Sequence, residues 1–113
     1  MKKDLITDND VQKALDFLRH QALPAAEAKA HRLYMVEFRK TIKSNQMQLH
    51  LNKPVAAQER DAYSSAEYIA HLDALKEAIQ QDVYFEWKRA AAEATIEAWR
   101  TYNANRRGQD KLQ

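Results

Sequence analysis

Glycine and proline are almost absent from this chain, which has one glycine and two prolines among 113 residues. Sheet hairpins and turns of positive φ rely on these residues, so the chain has few means of building them. Alanine, leucine, glutamine, lysine and glutamate, all good helix formers, are common. The sequence therefore predicts an all-α fold, a small helical bundle with a long C-terminal helix that oligomerises.

The first segment is predicted to be an N-terminal helical arm, residues 1–23. Asp8 or Asp10 is expected to cap a helix that runs to about Gln21. Pro24 suits the first turn of the next helix, because the N–H that proline lacks would have no partner there.

The second segment is predicted to be a basic helix within residues 24–52. Nothing breaks it before about Leu49, and Asn52-Lys53-Pro54 is the clearest break in the chain. A proline pushes the residue before it out of the helical region, so the chain must turn there. A short helix from Val55 to Tyr63 is expected next.

The third segment is predicted to be a helical oligomerisation region, residues 55–107, followed by a tail, residues 108–113. Ser64-Ser65-Ala66-Glu67 has the pattern of a capping box, with serine accepting from a backbone N–H and Glu67 reaching back. No proline or glycine follows until Gly108. We treat residues 1–113 as a single helical domain.

The closing helix is apolar on more than one face. Trp87 shares one face with alanines 91, 94 and 98, while other apolar residues follow different faces. A chain of this size has too few helices to cover them all, so we expect a homo-oligomer; a compact monomeric bundle with one weak stripe is the alternative. The predicted interface residues are Phe85, Trp87, Ile96 and Trp99.

Charge is distributed unevenly, although the net charge is only +2. Residues 28–58 hold six cations and one anion, whereas residues 59–97 hold four cations and nine anions. Such a chain can bind a polyanion with one surface, or it can dock its basic block onto the acidic block of a neighbouring subunit. Both interpretations remain open at this point.

Several classes of function lack their signatures. Cysteine is absent, and no nucleophile elbow, phosphate-binding glycine loop or zinc-binding H-E-x-x-H occurs. The four histidines lie far apart, without the spacing of metal ligands. We therefore expect no enzymatic activity, no cofactor and no metal. Because no signal peptide or apolar span is evident, a cytoplasmic protein without membrane association is expected.

A row of cations on the second helix is the strongest functional signal. Arg32, Arg39 and Lys43 recur at steps of seven and four and so share a face. Cations with nearby aromatics suit single-stranded nucleic acid, whose phosphates need charge and whose open bases need a flat surface. Tyr34 and Phe38 are the aromatics; at helical spacing such residues usually pack, so we expect them in the core and the cations at the ligand.

Three stretches resemble the small phage recombination mediators of the UvsY type: EFRKTIKSNQM, AAQERDAYSSAEYIAHLDALKEAI and YFEWKRAAAEATIEAWRTYNANRR. The resemblance covers about residues 34–107. It implies a ring-like oligomer that binds single-stranded DNA and helps a RecA-like recombinase to replace single-strand binding protein. It also implies the cytoplasm of a bacterium that is infected by a phage or carries a prophage.

In that family a Lys-x-Arg pair before a tyrosine contacts DNA. Arg60 matches the arginine, while Gln58 stands at the lysine position. An ion pair of Arg60 with Glu59 or Asp61 is the alternative role. The residues predicted to bind DNA are Arg32, Arg39, Lys40, Lys43, Lys53 and Arg60.

Two other functions compete with single-stranded DNA binding. One is a structural or assembly protein whose charge blocks pair between subunits without any DNA. The other is a helical regulator that binds duplex DNA, which is less favoured because no recognition helix after a short glycine turn is evident.

Overall fold

A computed structural model describes residues 5–112 of the chain, and these are almost entirely helical, with no strand among them. Helix α1 spans Asp8–His20, α2 Ala22–Met47, α3 Val55–Tyr63 and α4 Ala66–Leu112, with a 3-10 turn at Gln48–His50. The all-α prediction with a long C-terminal helix is confirmed. Residues 1–4 of the predicted N-terminal arm and residue 113 of the predicted tail lie outside the described part.

The start of α1 differs from the prediction, because Thr7 is the capping residue instead of Asp8 or Asp10. The Thr7 hydroxyl accepts from the Asp10 N–H at 3.1 Å, and the Asp10 carboxylate accepts from the Thr7 N–H at 2.9 Å. This reciprocal pair is a capping box. The hydrogen bond that the Asp10 carboxylate accepts from the Thr7 N–H is the main cause that lowers the pKa of Asp10 from its ordinary value.

The boundaries of α2 and α3 follow the local signals. Helix α2 includes Pro24 in its first turn, where the missing proline N–H breaks no helical hydrogen bond. The chain leaves helical structure around Pro54, and α3 has the predicted bounds, Val55–Tyr63.

Helix α4 is capped one residue later than predicted. Ser65 accepts from the Tyr68 N–H at 3.2 Å, while the Ser64 hydroxyl donates to the Arg60 carbonyl at the end of α3. Since Ser65 is the cap, Glu67 stands one position too early to complete a capping box. The helix continues through Gly108 to its end at Leu112, so the predicted tail is helical over residues 108–112.

The chain forms two compact units, which we name the terminal unit (the described part of residues 1–25 and 84–113) and the central unit (residues 26–83). Buried apolar residues of the terminal unit are Val11, Ala14 and Ala92, and those of the central unit are Ala62, Tyr68, Leu75 and Ala78. The single-domain organisation stays a prediction.

Both cores are thin. Most of the buried apolar residues are small, and no large side chain of the described residues is completely buried. Several large apolar side chains are instead exposed, among them Leu51, Val55, Ile69 and Trp87. Singly exposed apolar residues are normal on protein surfaces, so their exposure alone decides nothing about assembly.

Candidate nucleic-acid interface

Arg32, predicted to contact DNA, lies against a carboxylate of the central unit. Its Nη1 lies 3.1 Å from Oδ2 of Asp82, whose side chain is only 4% exposed. The contact is close but lacks hydrogen-bond geometry, so Asp82 Oδ2 is buried without a hydrogen-bond partner. A buried carboxylate requires a neighbouring cation, and Arg32 therefore has a structural role.

Lys40 and Lys53 also have carboxylate partners. Lys40 Nζ lies 3.1 Å from Glu37 on the exposed surface of α2. Lys53 Nζ donates to Asp61 at 2.7 Å, and this hydrogen bond is the main reason that the pKa of Asp61 lies below its ordinary value. The Lys53–Asp61 pair thus fastens the turn before α3 onto that helix.

Gln58, at the position of the family's lysine, also holds the turn before α3 against that helix. It is buried, and its Nε2 donates to the Lys53 carbonyl oxygen at 2.8 Å. A side chain in this place stabilises the turn and does not face solvent. The Lys-x-Arg patch implied by the resemblance is therefore reduced here to Arg60.

Lys43 lies between a carboxylate and an aromatic ring. Its Nζ is 3.6 Å from Glu59 Oε1 and 4.8 Å from the centre of the Tyr63 ring. The Tyr63 side chain, ahead of Glu59, holds the pKa of Lys43 above its ordinary value. Tyr63 is 48% exposed, and its ring meets the ring of the buried Tyr68 edge to face at 5.1 Å. Tyr63 thus contacts Lys43 and Tyr68 and still remains about half exposed.

Arg39 and Arg60 are exposed, and neither forms an ion pair within the described residues. Arg39 lies one turn before Lys43 on α2, and Arg60 lies one turn before Tyr63 on α3, so each is a surface neighbour of that residue. The alternative partners of Arg60 are engaged elsewhere, Glu59 with Lys43 and Asp61 with Lys53. We call Arg39, Lys43, Arg60 and Tyr63 the Tyr63 cluster.

The aromatic pair predicted to lie in the core is partly outside it. Tyr34 is 61% exposed and stacks on Phe38 with ring centres 5.6 Å apart, so the core prediction is wrong for Tyr34. Phe38 is half-buried against His71. Helical periodicity places Tyr34 about 140° from Arg39 and about 180° from Lys43 around α2. These aromatics therefore do not share a face with the cations.

His71 connects the aromatic pair to the helix packing of the central unit. Its ring is buried, and its Nε2 lies 2.7 Å from the Met35 carbonyl oxygen. A carbonyl can only accept, so this nitrogen carries the proton. Within the described residues, no group of three or more histidine or carboxylate side chains could hold a metal ion.

The predicted interface residues of α4 differ in exposure. Phe85, Ile96 and Trp99 are half-buried, and Trp99 Nε1 donates to Asp8 Oδ1 at 3.2 Å within the terminal unit. Trp87 is 73% exposed, and the alanines at 91, 94 and 98 beside it are exposed too. We call these four residues the Trp87 stripe.

Sequence reasoning missed Tyr63 as the aromatic partner of the cations. The spacing of Arg60 and Tyr63 is a local signal that could have placed them together on one helix face. The contact between Tyr63 and Lys43 is not a local signal, since it joins different helices.

Across the part of the chain that the structure describes, no helix has both the length and the apolar character needed to cross a membrane. No protein-family model, curated protein or solved structure matches the chain.

Proposed function

We propose that this protein is a non-enzymatic, single-stranded DNA-binding recombination mediator that acts through the Tyr63 cluster. The observation that carries the proposal is the exposed Tyr63 ring with Lys43 4.8 Å from its centre. Arg39 and Arg60, each without an ion-pair partner among the described residues, stand one turn away from these two side chains. The cluster combines a flat ring for a base with cations for phosphates.

Single strands suit this arrangement better than duplex. Stacking of a base on an aromatic side chain contributes roughly 1–3 kcal/mol, and it requires an unstacked base. A duplex keeps its bases stacked and offers mainly phosphates to such a surface. Stacking on an aromatic ring and charge contacts with phosphates depend little on the identity of the base, so we expect little dependence on nucleotide sequence.

The recombination role rests on the resemblance to UvsY-type mediators. In that role the protein helps a RecA-like recombinase to displace single-strand binding protein, in the cytoplasm of a bacterium with a phage or prophage. Arg60 and Tyr63 are the residues of the Tyr63 cluster that match the family's pattern.

We infer that the protein acts as a homo-oligomer and that the Trp87 stripe forms part of the interface. An exposed tryptophan beside three exposed alanines supports this, because small residues allow close helix approach. Phe85, Ile96 and Trp99 then support the interface from within the chain. Several modest sites along one flexible strand would bind with a high effective concentration.

The alternative is a structural helical protein that assembles without binding DNA. The Trp87 stripe alone would serve that function. The intrachain ion pairs disfavour the pairing of charge blocks between subunits, since the basic block already contacts acidic residues of the same chain through Arg32, Lys43 and Lys53.

The test is a titration of a fluorescent single strand and of the matching duplex with wild-type protein at the same salt concentration. We expect tighter binding to the single strand. The double variant Arg39→Gln/Arg60→Gln should weaken that binding and flatten its salt dependence, because fewer counterions are released. Binding to neither nucleic acid would refute the proposal and favour the assembly alternative. Equal affinity for the two would refute the role of Tyr63.

A further inference from the structure

The end of α4 carries a second row of cations, distinct from the predicted DNA-binding residues. Arg100, Arg107 and Lys111 are spaced by seven and four residues, so they lie within about 40° of one another around the helix. All three are exposed. They follow one another along the axis at intervals of about 10 and 6 Å. We call these three residues the C-terminal basic face.

Few anions accompany this face. Arg100 Nη1 lies 3.4 Å from Glu97, and both side chains are about 70% exposed. Arg107 and Lys111 form no ion pair within the described residues, and neither does the adjacent Arg106. Asp110 is the one acidic side chain in the last fifteen residues of the sequence, and Asp8 of α1 lines the same cleft as Arg100 and Arg107.

The last segment of α4, which carries Arg107 and Lys111, has little packing against the rest of the protein. Every residue of 104–112 is exposed, so no apolar stripe holds this segment against another element. Gly108 is a poor helix former, and neighbouring cations repel one another. A polyanion bound along the face would neutralise that repulsion and stabilise the helix, which couples binding to local order.

We propose that the C-terminal basic face binds the phosphates of a nucleic-acid backbone, in addition to the contact made by the Tyr63 cluster. The inference rests on the proposed function, since it concerns the same ligand. Guanidinium groups match phosphate geometry with paired hydrogen bonds. Tyr102, the aromatic residue between Arg100 and Arg107, lies about 140–180° from the three cations around the helix, so the face contacts the backbone without stacking on bases. It therefore does not distinguish single strands from duplex, whereas the Tyr63 cluster does.

The test compares the full-length double variant Arg107→Gln/Lys111→Gln, which we call the tail variant, with the matched control Lys13→Gln/Arg19→Gln. The control removes two exposed cations from α1 of the same unit. Loss of two phosphate contacts should make the slope of log affinity against log salt shallower by about 1.4 for a single strand, which corresponds to roughly tenfold weaker binding near 0.15 M salt. The control should change the slope much less. Affinity for duplex should fall by a similar factor in the tail variant.

Hydrogen exchange supplies a second measurement. On addition of an oligonucleotide, amides of residues 103–112 should exchange more slowly in the wild type and not in the tail variant. If the tail variant and the control have the same salt slope, or if poly-glutamate protects these amides as well as an oligonucleotide does, the inference is overturned. If the wild type binds no nucleic acid at all, the proposed function itself is refuted. If Arg39→Gln/Arg60→Gln flattens the salt dependence and Arg107→Gln/Lys111→Gln does not, the proposed function stands and only this second contact is refuted.

Discussion

Arg32 contacts the buried carboxylate of Asp82, so we expect it to stabilise the fold and not to bind a ligand. Replacing Arg32 by methionine tests this expectation. Methionine retains much of the apolar stem of arginine but removes the charge. It leaves the Asp82 carboxylate, whose side chain is 4% exposed, without the cation 3.1 Å away. The Asp82 Oδ2 atom has no hydrogen-bond partner to compensate. We therefore expect loss of stability without loss of DNA binding.

The magnitude follows from the burial of the two partners. Removing one partner of a buried ion pair destabilises a protein by about 3–5 kcal/mol. The Arg32 side chain is 28% exposed, so water can partly replace it, and we expect the low end, about 3 kcal/mol. For a domain of this size that loss lowers the melting temperature by roughly 12 °C. Arg32→Met/Asp82→Leu should recover most of the stability, because no uncompensated charge remains.

Urea unfolding followed by circular dichroism measures these changes, and Arg39→Met is the matched control. Arg39 lies on the same helix and has no ion pair within the described residues, so its replacement should alter the free energy of unfolding by less than about 0.5 kcal/mol. The control should nevertheless flatten the salt dependence of DNA binding. A loss below about 1 kcal/mol for Arg32→Met, or a flatter salt slope in that variant while it is still folded, would refute the reasoning.

Three further predictions address other features. Tyr63→Leu should reduce the affinity for a single strand by about 1–3 kcal/mol and leave duplex binding unchanged, as measured by fluorescence anisotropy; an equal loss for both would argue against stacking. Trp87→Glu should lower the solution mass to that of a monomer with helicity retained, whereas Trp99→Glu should unfold the terminal unit; an unchanged mass for the Trp87 variant would exclude the stripe as the interface. The pKa of Asp61 is lowered by Lys53, so this pair stabilises the fold above the unfolded pKa of about 3.9 and ceases to do so as the pH falls through the lower folded value. Unfolding measured from pH 6 to pH 2 should accordingly show a flatter acid limb in Lys53→Gln, and identical limbs would contradict the assignment.

Helix boundaries were predictable wherever a local signal stood at both ends. Helix α3 matches its prediction because a proline precedes it and two serines follow it. The cap of α4 was displaced by one residue because Ser64 and Ser65 both fit the pattern. Ser64 was already engaged by the last turn of α3, where its hydroxyl donates to the Arg60 carbonyl. Competition between two helix ends for adjacent serines is not visible in a motif.

The candidate site was less predictable, because its decisive contacts join different helices. Periodicity placed Arg32 and Lys43 on one face of α2, but it could not say which acidic residue each would meet. Arg32 meets Asp82, fifty positions away in sequence, and Lys43 meets Glu59. Tyr34 and Phe38 are the aromatics of the same helix, yet both lie on another face of α2 from Lys43. Tyr63 lies next to Lys43 only because α3 packs near α2.

The predicted DNA-binding cations that form ion pairs differ in how easily they can exchange the carboxylate partner for a phosphate. Lys43 and Glu59 are both partly exposed, and such a pair contributes little to stability because water solvates both charges. A phosphate can therefore replace Glu59 beside Lys43, since the released carboxylate returns to water. Arg32 differs because its departure would leave Asp82 charged and buried, at several kcal/mol. Among the predicted DNA-binding residues, we expect the burial of the anionic partner, more than the presence of an ion pair, to decide which cation a strand can recruit. By this criterion we expect Lys43, and not Arg32, to be available to a strand.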